Sequence, residues 1–341
     1  SAQCGACVVA LLVLKLRLCT FVARLAIIRI ASETRSAEDL IRGSQIPYRG
    51  RFAPSPTGPL HFGSLIAAVG SFLEAKSRKG EWLVRIEDLD PPREEPGASD
   101  EILRTLEACG MEWDGDIVYQ STRRDAYHAA LHSLRGRGLV YPCACSRREI
   151  ADSAIEGIDG PVYPGTCRNG LPPRRGARVW RVRTDRQLLE FTDTLQGYVG
   201  QQLETNVGDY VLYRADQVYA YQLAVVVDDA EQGITDIVRG ADLLSSTPRQ
   251  LYLQQLLGYP TPKYMHMPIA LDSSGKKLSK QTYAPAVGKG QEMPWLYHAL
   301  RFLGQNPPPR LAQASLNDFW TWAVLHWDAQ KIPRARALQT H

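Results

Sequence analysis

The chain has 341 residues, of which 44% are hydrophobic, 22% charged and 9% aromatic. This is the composition of a globular protein, which excludes a collagen-like, low-complexity or disordered chain, and the length suits roughly two domains with a sizeable core. Because 40 Lys and Arg stand against 36 Asp and Glu, bulk charge does not indicate nucleic-acid binding, and an RNA partner would need a local basic patch.

Residues 1–45 differ from the rest of the chain, because they hold six basic and three acidic residues besides the apolar run Val8 to Leu14. No run of about 18 uncharged apolar residues is present, so a membrane span is not expected. The basic residues follow the apolar run, whereas a signal peptide carries them before it. A basic targeting helix and a translated upstream stretch both fit this extension, and it is left out of the fold prediction.

The region 46–140 shows alternating strand and helix signals. Apolar residues at helical spacing predict helices, and continuous apolar stretches predict buried strands. The predicted elements are a strand at Arg49–Ala53, a helix at His61–Lys79, a strand at Trp82–Ile86, a helix at Ser99–Cys109 with Ser99 as N-cap, and a helix at Tyr127–Arg137. This alternation predicts an α/β fold with a doubly wound parallel sheet.

The second half of the chain breaks that rhythm. Residues 141–178 are rich in Cys, Gly and Pro, so we predict a small insertion between two halves of one domain, 46–140 and 179–260. Residues 261–341 are predicted to hold a Lys-rich loop and a short helical C-terminal part. The predicted elements are strands at Val179–Val182, Tyr210–Tyr213 and Ala224–Val227, and helices at Ser246–Leu257, Pro294–Leu303 and Leu316–His326.

The first motif with chemical content is residues 51–64, where a strand leads through a stiff Pro-rich loop into a helix. A helix start offers free backbone N–H groups and partial positive charge, and both favour a phosphate. Gly63 lets a nucleotide approach the backbone closely, and His61 can donate to a phosphate oxygen. An ordinary helix after a Pro-rich turn is the alternative interpretation.

The second motif is the loop 276–281, which places three lysines within five residues directly after Gly275. Lys is a compact charge on a flexible stem, so Lys277 and Lys280 can follow the negative charge that develops on a leaving phosphate. A solvated charged loop is the alternative interpretation.

Together the two motifs resemble the HIGH and KMSKS signatures of class I aminoacyl-tRNA synthetases, with Ser64 in place of the final His. Within that class, residues 51–58, 86–90 and 238–243 resemble the glutamyl subgroup, and the resemblance covers roughly residues 48–305. It implies a Rossmann-like catalytic domain. It also implies catalytic roles for His61, Lys277 and Lys280, and ATP contacts from His61, Gly63, Ser64 and Lys280.

Only 60 residues follow Gln281, too few for the large anticodon-binding region of a full glutamyl-tRNA synthetase. A chain of this kind resembles the glutamyl-queuosine tRNA(Asp) synthetase family, as do its KLSKQ loop and the run Leu223–Asp229. That resemblance implies that L-glutamate is activated with ATP and Mg²⁺ and moved to the queuosine base in the anticodon of tRNA(Asp). A truncated glutamyl-tRNA synthetase charging tRNA(Glu) and a non-catalytic zinc-containing RNA-binding module are the competing interpretations.

Glutamate brings two carboxylates and one ammonium, and the chain offers partners for each. The planar fork of Arg matches a carboxylate, so Arg51 and Arg239 are candidates. Glu87 can hold the ammonium, and Tyr221 adds a hydroxyl. Structural ion pairs are the alternative, namely Arg239 with Asp242 or Asp236, and Glu87 with Arg85 or Arg93. The resemblance implies the glutamate-binding set Arg51, Phe52, Ala53, Pro54, Ser55, Glu87, Tyr221 and Arg239.

The seven cysteines are an odd number in a long chain, which argues against a secreted disulfide scaffold and for reduced thiols in the cytoplasm. Cys143 and Cys145 offer two sulfurs at one turn, and with Cys167 they predict one structural zinc site. Spacing alone leaves the fourth ligand open: Tyr163, Glu149, Asp152 or water. Three reduced thiols without a metal are the alternative, and the resemblance implies Tyr163 as the fourth ligand.

RNA contact has the weakest sequence signal. Five arginines lie around the insertion, near Trp180, and form either a tRNA-facing patch or a solvated basic face: Arg147, Arg148, Arg168, Arg174 and Arg175. The chain is expected to be a monomer that meets ATP, glutamate and tRNA away from any membrane.

Overall fold

The computed structural model describes residues 47–152, 155–278, 287–288 and 290–340. The extension 1–45 and Lys280 therefore lie outside the described residues. The strands, in chain order, are β1 (Arg49–Phe52), β2 (Glu81–Ile86), β3 (Val118–Tyr119), β4 (Val140–Cys143), β5 (Glu156–Gly157), β6 (Gly160–Pro161), β7 (Val179–Val182), β8 (Leu188–Asp193), β9 (Gly197–Gln202), β10 (Val211–Tyr213), β11 (Asp236–Gly240), β12 (Lys263–Met267), β13 (Ile269–Leu271) and β14 (Ala337–Gln339). The helices are α1 (Phe62–Ser77), α2 (Ala98–Ala108), α3 (Arg124–Gly136), α4 (Arg147–Ala151), α5 (Leu203–Asn206), α6 (Tyr221–Glu231), α7 (Thr247–Leu257), α8 (Glu292–Phe302) and α9 (Leu316–His326).

Short parallel strands lie at the centre of the fold. β1, β2 and β3 pair in parallel in the order β1–β2–β3, and β11 pairs in parallel with β12. β1 also contacts β11, and beside them the backbone N–H of Thr235 donates to the carbonyl of Arg49 over 2.9 Å. The α/β character agrees with the sequence prediction, whereas one continuous doubly wound sheet stays a prediction.

Helix α1 packs against β1, β2, β11 and α8. Its apolar residues recur at helical spacing and are buried along most of its length, and these side chains form part of the main core. Gly70 brings the helix close to β12, because a Cβ there would lie only 2.2 Å from Met267 Sδ. This close packing fixes the position of the α1 N-terminus beside the ends of the parallel strands.

Most element boundaries lie within three residues of the prediction, and β7 and α9 match it. One strand prediction is wrong, because Ala224–Val227 lies inside helix α6. That helix is buried from Leu223 to Asp229, and a continuous apolar run suits a buried helix as well as a buried strand. The predicted cap of α2 is wrong as well, because Gly97 with φ 80° precedes the helix and Ser99 lies within its first turn.

A second, antiparallel region follows helix α3. β10, β7 and β4 form one sheet in that order, and β8 and β9 form a hairpin whose first strand contacts β12. The three cysteines of the predicted zinc site lie at the end of β4 and in the chain between β4 and β7. The domain boundaries stay predictions.

The C-terminal elements pack back on the first half of the chain. α8 and α9 both contact α1, and β14 pairs in parallel with β13. Among the helices that the structure describes, none has the length and apolar character needed to cross a membrane.

Candidate active site and metal centre

A cavity of about 720 Å³ opens at the carboxyl ends of the parallel strands. Residues at or just beyond the ends of β1, β2, β11 and β12 line it. In open α/β sheets, ligands bind outside the carboxyl ends of the strands, so this is the position expected for a substrate. The chain brings distant segments together here, from Arg51 to Leu278.

The cavity collects every described residue that the sequence assigned to glutamate or ATP. The glutamate set is Arg51, Phe52, Ala53, Pro54, Ser55, Glu87, Tyr221 and Arg239. The nucleotide and catalytic set that lines the same cavity is His61, Gly63, Ser64 and Lys277. Their individual roles remain proposals.

The N-terminus of helix α1 carries the first motif. His61 is the N-cap, and its Nδ1 accepts from the backbone N–H of Ser64 at 3.4 Å, while the Ser64 hydroxyl lies 3.0 Å from Nε2. Ser64, which replaces the final His of the signature, therefore holds the His61 ring. A Cβ on Gly63 would lie 3.0 Å from that ring and 3.1 Å from the carbonyl oxygen of Leu278, so glycine permits the contact between the two motifs.

Lys277 is the described lysine that reaches the cavity from the second motif. Its Nζ lies 2.5 Å from Oδ2 of Asp242, which follows β11, and both side chains are partly exposed. An exposed ion pair is weak, so phosphate oxygens can compete for this ammonium group. The same pair removes Asp242 as the structural partner considered for Arg239.

Arg51 is a buried cation whose charge is already matched. Its Nε and Nη2 donate to the two carboxylate oxygens of Asp229 on α6, at 3.0 and 3.4 Å. Arg85 donates to the same carboxylate at 2.8 Å. Burial raises the pKa of Asp229, but the two guanidinium groups outweigh it and hold the pKa below its ordinary value. This network ties α6 to β1 and β2.

Arg239 has a different environment. It is 5% exposed, and its hydrogen bonds go to neutral partners: Nε to His266 Nε2 at 3.0 Å, Nη2 to Thr247 Oγ1 at 2.9 Å, and Nη1 to Tyr221 Oη at 3.4 Å. Among the described residues no carboxylate lies within ion-pair distance of it. Asp236, the other partner considered, instead accepts a hydrogen bond from Thr235. A buried cation of this kind favours an anionic ligand.

Glu87 forms a long ion pair with Arg85, one of the two structural partners considered for it. Its Oε1 lies 3.4 Å from Nη2 of Arg85, which is shared with Asp229, and Arg93 pairs with Asp90 instead. Burial raises the pKa of the Glu87 carboxyl above its ordinary value, although Arg85 and Arg51 oppose the shift. The nearby arginines therefore do not fully compensate the buried carboxylate, and an ammonium group bound beside it would be stabilised.

The sequence interpretation missed the residues that support the two arginines. His266, Asp193, Thr247 and Asp229 are buried and none of them was assigned a role. Asp229 had a signal, because it ends the run singled out as a family resemblance. His266 had only a weak one, as a lone histidine in an apolar strand, and Asp193 lies in a hairpin that was not predicted.

The cysteine cluster lies apart, in the antiparallel region. The sulfurs of Cys143, Cys145 and Cys167 lie within 4.8 Å of one another and are buried. Tyr163 Oη is 3.3 Å from Cys143 Sγ and 3.7 Å from Cys145 Sγ, and the sulfurs of Cys145 and Cys167 are 3.7 Å apart. Tetrahedral zinc with Zn–S near 2.3 Å separates two sulfurs by about 3.8 Å, so the donor set fits that ion.

The other candidates for a fourth ligand have different partners. Glu149 pairs with Arg175 and closes the capping box of α4, and Asp152 forms an exposed pair with Arg148. Within the described residues neither belongs to the cysteine group. The Tyr163 ring lies beneath the Arg181 guanidinium, at 3.9 Å. Burial raises the pKa of Cys143, but hydrogen bonds with Tyr163 and Arg181 outweigh it and lower the pKa overall.

The five arginines around the insertion differ in their contacts. Arg168 forms an ion pair with buried Asp209, and Arg148 and Arg175 form exposed pairs with Asp152 and Glu149. Arg147 and Arg174 are exposed as well. Trp180 is half-buried and its ring lies 4.0 Å from the Arg135 guanidinium. An RNA-facing role for this surface stays a prediction.

Comparison with known proteins places this geometry in a class. Residues 48–301 match the family model described as tRNA synthetases class I (E and Q), catalytic domain. A glutamate tRNA ligase from Elizabethkingia meningosepticum, crystallised with its amino acid, superposes with a TM-score of 0.71 over 86% of this chain and 67% of that one. At 24% identity this likeness shows the fold, that of a class I synthetase catalytic domain.

Curated relatives are more specific. The glutamyl-Q tRNA(Asp) synthetase of Aromatoleum aromaticum is 59% identical over 288 residues, covering 84% of this chain and 91% of the relative. That of Dechloromonas aromatica is 60% identical over 290 residues, covering 84% and 96%. The chain is therefore a class I tRNA synthetase, a ligase, and belongs to the glutamyl-Q tRNA(Asp) synthetase family, as its sequence predicts.

Proposed function

We propose that the chain activates L-glutamate with ATP to glutamyl-adenylate and transfers the glutamate to the queuosine base in the anticodon of tRNA(Asp). The observation that carries this proposal is the cavity in which three features converge: a buried cation that has no carboxylate partner among the described residues, the N-terminus of α1 and a loop lysine. The names of relatives at 52–60% identity support the choice of amino acid and tRNA.

Glutamate would lie between the two strand ends. One carboxylate would bind Arg239, whose hydrogen bonds go to neutral groups, and the other would face Arg51 and the backbone that follows it. Glu87 would take the ammonium group, and Tyr221 would donate its hydroxyl without adding charge. Phe52, Ala53, Pro54 and Ser55 would form the wall between these charged groups.

Activation needs positioning and charge stabilisation rather than a protein nucleophile. An oxygen of the glutamate α-carboxylate attacks the α-phosphorus of ATP, a new P–O bond forms, and the bond to pyrophosphate breaks. His61, Gly63 and Ser64 would hold the phosphates at the helix N-terminus. Lys277 and Lys280 would stabilise the negative charge on the departing pyrophosphate. Mg²⁺ would enter with ATP and neutralise part of its charge.

Transfer completes the reaction. A hydroxyl of the queuosine cyclopentene ring attacks the activated carbonyl carbon, an ester bond forms, and AMP leaves. The cysteine cluster lies outside the cavity lining, so Cys143, Cys145, Tyr163 and Cys167 would hold zinc as a structural ion. We place the enzyme in the cytoplasm, where such thiols stay reduced and tRNA is present.

Mass analysis of nucleosides tests the proposal directly. Queuosine-containing tRNA incubated with the chain, glutamate and ATP is expected to yield queuosine with one added glutamyl mass. Glutamate on the 3′ end of tRNA(Glu), removable by trimming that end, would favour the truncated glutamyl-tRNA synthetase. The absence of any glutamate-dependent ATP–pyrophosphate exchange would favour the RNA-binding module.

Exchange measured without tRNA is the second test, because the proposed reaction forms the adenylate before tRNA is needed. Lys280→Ala is expected to abolish exchange while glutamate binding is largely kept. Unchanged exchange in this variant would contradict the role given to the loop.

A further inference from the structure

Arg239 lies in the cavity wall, and neutral side chains hold its buried guanidinium in place. Arg239 and His266 are paired residues in the β11–β12 register, so the two side chains lie beside each other. His266 is 0% exposed, and its Nε2 accepts from Arg239 Nε at 3.0 Å. Thr247 Oγ1 accepts from Nη2 of the same guanidinium at 2.9 Å.

The hydrogen-bond partner of the second ring nitrogen of His266, Nδ1, determines which nitrogen carries the proton. Nδ1 lies 2.6 Å from Oδ2 of Asp193, at the end of β8. Oδ1 of Asp193 accepts from the backbone N–H groups of Leu195 and Gln196, at 3.0 and 2.9 Å, so the carboxylate is anchored by the hairpin turn. A carboxylate can only accept, so Nδ1 carries the proton and Nε2 presents a lone pair to Arg239.

The electrostatics agree with a neutral ring. Burial, aided by the Arg239 cation, outweighs the Asp193 hydrogen bond and lowers the pKa of His266 to about 4. Thus the one carboxylate of this group lies behind the imidazole, out of contact with the guanidinium. Arg51 contrasts with it, because that fork is bound directly by the carboxylate of Asp229.

We propose that Asp193 and His266 are positioning residues that fix Arg239 toward the cavity while leaving its charge available for a substrate carboxylate. The inference rests on the proposed function and deepens it, because it assigns the preference for glutamate over glutamine to this arrangement. A guanidinium without an acidic partner binds a carboxylate more strongly than an amide. A guanidinium already neutralised, or turned away, loses that preference.

Asp193→Asn is the sharpest single change, because it is nearly isosteric and reverses the hydrogen bond to Nδ1 of His266. The backbone N–H of His266 lies 3.2 and 3.1 Å from the two carboxylate oxygens, so it can still donate to the oxygen that remains. The Asn oxygen is held by the two backbone N–H groups, so its amide N–H₂ points at His266 Nδ1. The proton then moves to Nε2, which opposes the N–H of Arg239, donor against donor. We expect the dissociation constant for glutamate to rise at least about tenfold, and that for glutamine to rise less.

Two substitutions at His266 form the matched control. His266→Gln can place an amide oxygen where Nε2 lies, whereas His266→Asn is too short to reach Arg239. We expect glutamate affinity within about threefold of wild type for Gln and about tenfold or more weaker for Asn. In the double variant Asp193→Asn with His266→Gln, the acceptor for Arg239 no longer depends on residue 193, so glutamate affinity is expected to recover toward that of His266→Gln.

Binding is measured by calorimetry on the full chain with L-glutamate and L-glutamine, and folding by circular dichroism and thermal unfolding. Absence of glutamate binding by wild type would overturn the proposed function. If wild type binds glutamate and both Asp193→Asn and His266→Asn bind it with the wild-type affinity, this inference alone is overturned. A double variant that binds glutamate more weakly than both single variants would overturn it as well. If Asp193→Asn does not fold, the comparison of His266→Gln with His266→Asn decides, because equal affinities there contradict the positioning role.

Discussion

The cavity and the cysteine cluster are assembled over very different distances along the chain. The cluster takes its three cysteines, with Tyr163 beside them, from residues 143–167, at the end of β4 and in the chain between β4 and β7. The cavity gathers β1, β2, α6, β11 and β12, which span most of the chain, and its buried arginines Arg51 and Arg239 each bond to a side chain from another element. Three cysteines close together in sequence can be recognised as a candidate metal site from their spacing, although spacing leaves the fourth ligand open. A long-range charge arrangement also requires knowledge of which strands pair.

The largest expected effect comes from removing the cation that distinguishes the cavity. Arg239→Ala is expected to lower kcat/KM for glutamate in ATP–pyrophosphate exchange about a hundredfold or more, because a desolvated charge contact to the substrate is lost. Exposed Arg310 provides the control, and Arg310→Ala is expected to leave exchange unchanged. A loss below about fivefold for Arg239→Ala would show that the cavity does not use this charge.

The cysteine cluster is tested by its metal content. Cys143→Ser is expected to lose about one equivalent of zinc relative to wild type and to unfold at a lower temperature, because metal binding contributes to the stability of the fold. Cys109→Ala is the control, since Cys109 is buried in the main core away from the cluster. Equal zinc in wild type and Cys143→Ser would favour three reduced thiols.

The phenol is tested separately by Tyr163→Phe. This change keeps the ring beneath Arg181 and removes only the oxygen that lies beside the sulfurs. We expect zinc to be retained in the purified protein but lost at a lower chelator concentration than in wild type. Unchanged chelator resistance would assign the fourth position to another ligand.

The residues that support Arg239 give the free energy of unfolding a dependence on pH. His266 titrates near pH 4 when folded and near 6.5 when unfolded, so between these values the unfolded chain binds the proton and the folded chain does not. The free energy of unfolding therefore falls as the pH decreases through this window, and one such group contributes about 2 kcal/mol between pH 7 and pH 5.

Urea unfolding of wild type and His266→Gln at those two pH values measures this contribution. We expect the loss of stability on acidification to be smaller in the variant by about that amount. Equal losses in the two proteins would contradict the neutral, buried state of His266.

The smallest expected effect concerns the exposed pair at the mouth of the cavity. Asp242→Asn releases Lys277 from its ion pair, and we expect the KM for ATP to change by less than about threefold, since exposed pairs contribute little. Exchange at varied ATP concentration measures it. A change above about tenfold would mean that Asp242 orders the Lys loop, and that the cavity depends on its rim as well as on its buried charges.

Much of this fold was predictable because its signals are local. α1, β7 and α9 follow from the pattern of apolar residues, and described residues of both motifs line one cavity, as the family resemblance implies. Ala224–Val227 was misassigned because burial on all sides removes the periodic signal. The roles of Asp193, His266 and Asp229 could not be predicted, because each depends on a hydrogen bond to a residue at least 27 positions away in sequence.

The neutral surroundings of Arg239 also bear on the protein before it meets a substrate. The part of the chain that the structure describes offers this buried guanidinium no counter-ion, so the substrate-free protein is less stable than it would be with an acidic neighbour. A small dicarboxylate that enters the cavity would relieve that cost and raise the melting temperature, whereas an uncharged analogue of the same size would not. The melting temperature would thus indicate which amino acid binds, and melting curves would rank candidate amino acids before any tRNA is prepared.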